Sequence, residues 1–172
     1  MLKTVVLLAA LLAQTLDPPI IDNDRVNVRE RPTIGGPTGS IVRKTDNEIW
    51  ISKTPAKAVV ITLKDTKVAS VANTSGYPNA FPRPGSTKVY EDARVIVWDY
   101  TWTLDTPSPM HFHDKDVVVI YLDNGTLKST TPDGKSVSNA RHFGDTFFNP
   151  RDRVHFETLT EGKLRAIITE LK

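Results

Sequence analysis

The chain contains no cysteine in its 172 residues, which excludes lipid attachment through a lipobox and leaves no disulfide framework from which to read a compartment. It also lacks any block of like charge. The 22 basic and 20 acidic residues are interspersed and leave a net charge of +2, so no basic stretch is available to follow a phosphate backbone and nucleic acid is not expected as a partner. Long apolar runs are missing too. The exception, residues 5–12, is too short to span a bilayer. Preceded by Lys3 and followed by the small Ala13, it reads as an export signal over residues 1–13 rather than as a buried N-terminal element. This predicts a mature chain beginning near Gln14, periplasmic or secreted, with no membrane attachment after cleavage.

No window carries a helical period long enough to compete with strands, and there is no internal repeat or low-complexity tract. The length suits one domain with a real core. Residues 14–87 read as an irregular N-terminal arm. Pro18, Pro19, Pro32, Gly35, Gly36, Pro37 and Gly39 interrupt its first part, and short strands are predicted only at 48–52 and 58–63. Pro78, Pro82, Pro84, Gly76 and Gly85 break a second stretch. From residue 88 onward, runs rich in valine, threonine, phenylalanine and isoleucine alternate with the turns Asp123-Asn124-Gly125, Asp133-Gly134, Gly144-Asp145 and Glu161-Gly162. They predict strands at 94–102, 109–113, 117–122, 126–130, 146–149, 154–158 and 164–169, the pattern of an all-β sandwich or barrel.

Three of the four histidines suggest one metal site. In an extended strand, His111 and His113 project from the same face and Phe112 from the other. His155 closes a second segment that begins at Gly144. Neutral imidazole is the commonest side-chain ligand for transition ions, and three protein ligands leave a position open for a substrate. The cofactor expected is therefore one divalent transition metal, among Fe, Mn, Zn, Ni and Cu. His142 lies outside this pattern and reads as an exposed polar residue.

The spacing of these residues over 88–172 resembles the cupin family. His111, His113 and Gly125 stand in the slots of its first motif, and Gly144, Pro150 and His155 in those of its second. There are departures: Asp105 holds a glycine slot six residues before His111, Asp152 replaces an inner glycine, and Leu159 replaces a closing asparagine. The family's carboxylate ligand would fall at 117 or 118, and both are valine. The resemblance implies a jelly-roll β-barrel over 88–172 with the arm packed on it, a metal on His111, His113 and His155, and a homodimer formed through sheet packing. The segment Ile167 to Lys172 and the turn Pro132-Asp133-Gly134-Lys135 resemble small exported bacterial cupins of unassigned function.

Two carboxylates compete to replace the missing ligand. Asp116 shares strand parity with Val118, one of the family's ligand positions, but also reads as an exposed turn acid. Glu157 shares parity with His155 and is the candidate catalytic residue, as general base, outer partner or fourth ligand. Trp98, Tyr100 and Trp102 form one aromatic face of a strand, read as packing beneath the arm or a second subunit, or as a stacking platform for a ligand. Two function classes follow: a metalloenzyme, of which a dioxygenase acting on a small organic substrate is one form, and a non-catalytic module that binds a small molecule or metal.

Overall fold

The computed structural model describes residues 18–172 apart from Ile34, Lys67 and Ser70. The expected signal at 1–13 lies outside the described residues, among which every regular element is a strand. Strands β1 (Ile21–Asp22), β2 (Val26–Pro32), β3 (Ile41–Lys44), β4 (Glu48–Thr54) and β5 (Lys57–Leu63) form an antiparallel sheet in the order β1-β2-β5-β4-β3. Six of the strands that follow are β6 (Ser86–Glu91), β7 (Val95–Trp102), β8 (His111–His113), β9 (Asp116–Tyr121), β10 (Gly125–Thr130) and β11 (Ser136–Arg141). The last three are β12 (Thr146–Asn149), β13 (Arg153–Gly162) and β14 (Leu164–Leu171). These nine form two facing sheets, β12-β9-β14-β7-β6 and β11-β10-β13-β8, the all-β jelly-roll class.

The arm is more regular than its breakers predict. Pro32 sits at the last position of β2, and Pro37 and Gly39 lie in the connection to β3. Proline there removes no ladder bond the sheet needs. The first sheet is amphipathic: Val26, Val28, Ile49, Ile51, Val59 and Ile61 are fully buried. They pack on Val95, Val97, Val118, Ile120 and Ile167 of the middle sheet. Arg165 and Asp99, joined by two hydrogen bonds of 2.9 and 2.7 Å, flank this layer.

The middle sheet is thus buried on both faces, and alternate residues of each strand go to different cores. Trp98, Tyr100, Trp102, Val117, Val119, Tyr121, Ala166 and Ile168 face Leu127 and Leu159 of the opposing sheet. The aromatic face of β7 is packing, as expected, and part of the arm covers it: Phe81 stacks on Trp98 at 5.2 Å and meets Tyr100 edge-on at 5.9 Å. The first sheet lies on the valine face of β7, and the three rings point between the two facing sheets.

Backbone geometry explains two departures from the family pattern. Asp105 (φ 56°) and Asp152 (φ 62°) are the two non-glycine residues with positive φ among those described, and they occupy the two slots where glycine is replaced. Aspartate tolerates the left-handed region better than most residues but is still strained there. Asp152→Gly is therefore expected to raise stability by up to about 1 kcal/mol, since relief of strain exceeds the entropy that glycine adds to the unfolded chain. Urea denaturation would measure this, and a destabilised variant would show that the Asp152 side chain holds the turn.

Candidate metal centre

The histidines are brought together by strand pairing. β8 runs antiparallel to β13 with His111 opposite His155 and His113 opposite Arg153. Directly opposed residues on adjacent strands place their side chains on one face, and His113, two residues along, completes a triangle. The other edge of β8 is held by residues 78–80, where the Phe112 amide donates to Pro78 and the Ala80 amide to Phe112, both at 2.8 Å. His111, His113 and His155 are all buried, and one nitrogen from each lies within 4.8 Å of the others. The Nε2 atoms of His111 and His113 are 3.2 Å apart, as are those of His113 and His155. Nitrogens about 2.1 Å from one ion stand about 3.0 Å apart in an octahedron and about 3.4 Å in a tetrahedron. The cluster can hold a metal ion.

Outer partners orient two of the rings. His111 Nδ1 donates to the Pro109 carbonyl at 2.8 Å, which leaves its Nε2 lone pair facing the centre, the arrangement that metal-bound imidazole requires. His155 Nδ1 is hydrogen-bonded to Ser129 Oγ at 3.2 Å, and donation from the ring to that hydroxyl gives His155 the same tautomer. His113 Nδ1 is buried without a partner, so no outer hydrogen bond orients that ring, whose Nε2 meets those of His111 and His155. Converging lone pairs repel one another unless a cation or a proton lies between them, and the donor set therefore fits a transition ion.

Burial and the Arg83 guanidinium push the His111 pKa down to about 3. Burial, then Arg153, holds His113 well below its ordinary value, and burial lowers His155. These rings are neutral in the fold at pH values where an unfolded imidazole, with a pKa of about 6.5, takes up a proton. For His111 the contribution to stability is therefore complete above about pH 6.5 and is lost as the pH falls toward 3, by up to about 1.4 kcal/mol per pH unit, and His113 and His155 act in the same direction. His111→Gln in metal-free protein should flatten the loss of urea stability across this window. An unchanged profile would mean that His111 is already protonated in the fold.

Arg83, which sequence reasoning missed, is part of the site. Its side chain is 5% exposed and stacks over Tyr100 and Phe81 at 4.2 and 4.7 Å. Nη1 donates to His111 Nε2 at 2.5 Å, and Nη2 donates to Glu157 at 3.1 Å. It comes from the turn 82–86, where Gly85 (φ 87°) lies so close to β7 that a Cβ would come within 2.5 Å of the Thr101 carbonyl. Ligation through His111 Nε2 requires the guanidinium to withdraw from that nitrogen.

Glu157 lines the histidine cavity and accepts from Arg83 and, at 3.2 Å, from Trp102 Nε1. Its side chain is 14% exposed. Burial pushes its pKa up, but the Arg83 guanidinium, helped by the Trp102 N–H, lowers it, and the balance lies below the ordinary value. Glu157 is thus ionised at neutral pH. Asp116 is on the other side of the sheet, where it pairs with Arg25 at 3.3 Å and accepts the Arg151 amide at 2.8 Å. Parity with Val118 holds, but Val118 faces the arm and Val117 faces the cavity, so Asp116 cannot reach the histidines. His142 is exposed and lies 3.5 Å from Asp145.

The strand order is that of an all-β jelly roll. Over 53% of its length the chain is similar to a cupin domain from Bordetella pertussis Tohama I, with 26% identity, 97% of that chain covered and a TM-score of 0.47. It is similar to a cupin 2 conserved barrel domain protein from Leptotrichia buccalis, at 17% identity and a TM-score of 0.45, over 68% of this chain and 53% of that one. It is also similar to a cupin family protein with a double-stranded β-helix fold from Methanocaldococcus jannaschii, at 14% identity and a TM-score of 0.43, over 62% and 91% of the two chains. No family model and no curated protein matches the sequence.

Proposed function

We propose that the protein is a metal-dependent cupin that binds one divalent transition ion through His111, His113 and His155 and acts on a small organic molecule, with dioxygenase-type chemistry as the reaction class. The convergence of three imidazole nitrogens at 3.2 Å spacings, two of them oriented by outer hydrogen bonds, carries this reading. An ion held by three neutral ligands supplies undiminished positive charge and open positions for substrate oxygens. The chain's own residues do the rest. Val117, Val119, Leu127 and Ile168 line the cavity and exclude water. Trp102 and Arg83 fix the Glu157 carboxylate, which accepts the substrate proton at Oε2 once Arg83 shifts.

A second reading, a binding module without turnover, draws support from the same Arg83–Glu157 pair, which weakens Glu157 as a base. Metal analysis of protein purified from its own host, followed by dioxygen-uptake assays on a substrate panel, separates the two. Stoichiometric metal with uptake supports the enzyme, metal without uptake on any substrate supports a metal-binding module, and absence of metal rejects the enzyme and leaves only a module that binds a small molecule. The chain is further proposed to be exported, on the strength of Lys3, the apolar run at 5–12 and Ala13. Intact-mass measurement of secreted protein should give a chain beginning near Gln14, and retention of residues 1–13 would contradict it.

A further inference from the structure

The walls of the histidine cavity carry more positive charge than the centre itself requires. Arg83, Arg141 and Arg153 line it, with Glu157 as the carboxylate among the lining residues. Glu157 is committed to Arg83. Arg141 and Arg153 form no ion pair with a carboxylate among the described residues. Arg141 lies over Phe147 and Tyr121 at 4.5 and 5.5 Å, and its Nε is buried with no hydrogen-bond partner. Arg153 donates through Nε to the Pro150 carbonyl at 2.5 Å, which satisfies a donor but not the charge. The contrast with a larger open groove elsewhere is informative. There Arg25, Lys64, Arg94 and Lys172 are each paired with an acid.

Two guanidiniums with no carboxylate paired to them, beside a cluster of neutral imidazoles, form a site suited to negative charge. Leaving such groups partly buried without a counterion is costly, and a bound anion removes that cost. A planar guanidinium with free donors matches a carboxylate, which it can bind through two parallel hydrogen bonds. Asn139 and Asn149, also in the lining, can satisfy further oxygens. The cavity volume is about 100 Å³, room for roughly seven water-sized atoms.

We propose that the molecule taken by this cavity is a small organic carboxylate of roughly five to seven non-hydrogen atoms, anchored by Arg141 and Arg153 with its other end toward the histidines. The proposal names the ligand class of the centre described above and rests on that reading for the role of the metal, but not for the role of the arginines.

The test is calorimetric titration of lactate, pyruvate and malonate, and of their uncharged amides, into metal-loaded and metal-free protein, with metal content measured after each run. At least one carboxylate should bind saturably while its amide does not. Arg141→Gln and Arg153→Gln should each weaken that binding by roughly 10- to 100-fold with unchanged metal content. Equal binding of acid and amide, absence of binding by all three acids, or binding unaffected by both substitutions would overturn the proposal. If the protein takes up no metal, the reading of the centre fails by itself. Arginine-dependent binding to the metal-free protein would then still support the anion site, and its absence would overturn it.

Discussion

Alanine in place of His113 is expected to lower metal affinity by more than roughly 100-fold while leaving a folded protein. His113 Nε2 lies 3.2 Å from the Nε2 atoms of both other histidines, so its loss opens the triangle at the shared vertex. Loss of an outer hydrogen bond to a ligand commonly costs 10- to 100-fold, and loss of a ligand should exceed that. The fold should survive because His113 Nδ1 has no partner to strand and the two-sided packing of the middle sheet is untouched. Equilibrium dialysis against the preferred ion measures the effect. Wild-type affinity in the variant would place the ligands elsewhere.

Glu157→Gln is expected to retain metal and, on any substrate that turns over, to lower kcat by at least roughly 100-fold, the usual contribution of a positioned general base. The substitution keeps the side-chain volume and can keep an acceptor for Trp102, but it removes the charge that holds Arg83. Asp116→Asn is the control. It weakens the contact to Arg25 on the far face and should lower stability by about 1–3 kcal/mol with metal content and kcat unchanged. Loss of kcat in the Asp116 variant with full activity in the Glu157 variant would reverse the assignment of the two carboxylates.

What the sequence could and could not reveal follows from the layering. Strands that present one face to solvent or to a single core, such as β12 and β13, follow their alternation, and the parity of His111, His113, His155 and Glu157 holds. In β9 all six residues are buried, because the arm covers one face and the barrel interior the other. Alternation then says which residues share a face, but not which face is inside. The same ambiguity misplaced Asp116. β6 and β11, largely exposed edge strands of Ser86–Glu91 and Ser136–Arg141, carry too little apolar signal to be predicted. Arg83 was unreadable for a different reason. It sits between two prolines in a turn, and only tertiary docking of that turn on β7 and β8 delivers it to the histidines.

The central claim is that three imidazoles converge on one ion. X-ray absorption spectroscopy of the metal-loaded wild type tests it most directly, with the ion's stoichiometry measured on the same sample. The account predicts one ion per chain with three imidazole nitrogens at about 2.0–2.2 Å and remaining positions filled by light atoms. A spectrum with fewer than three imidazoles, or one unchanged in His113→Ala, would contradict it.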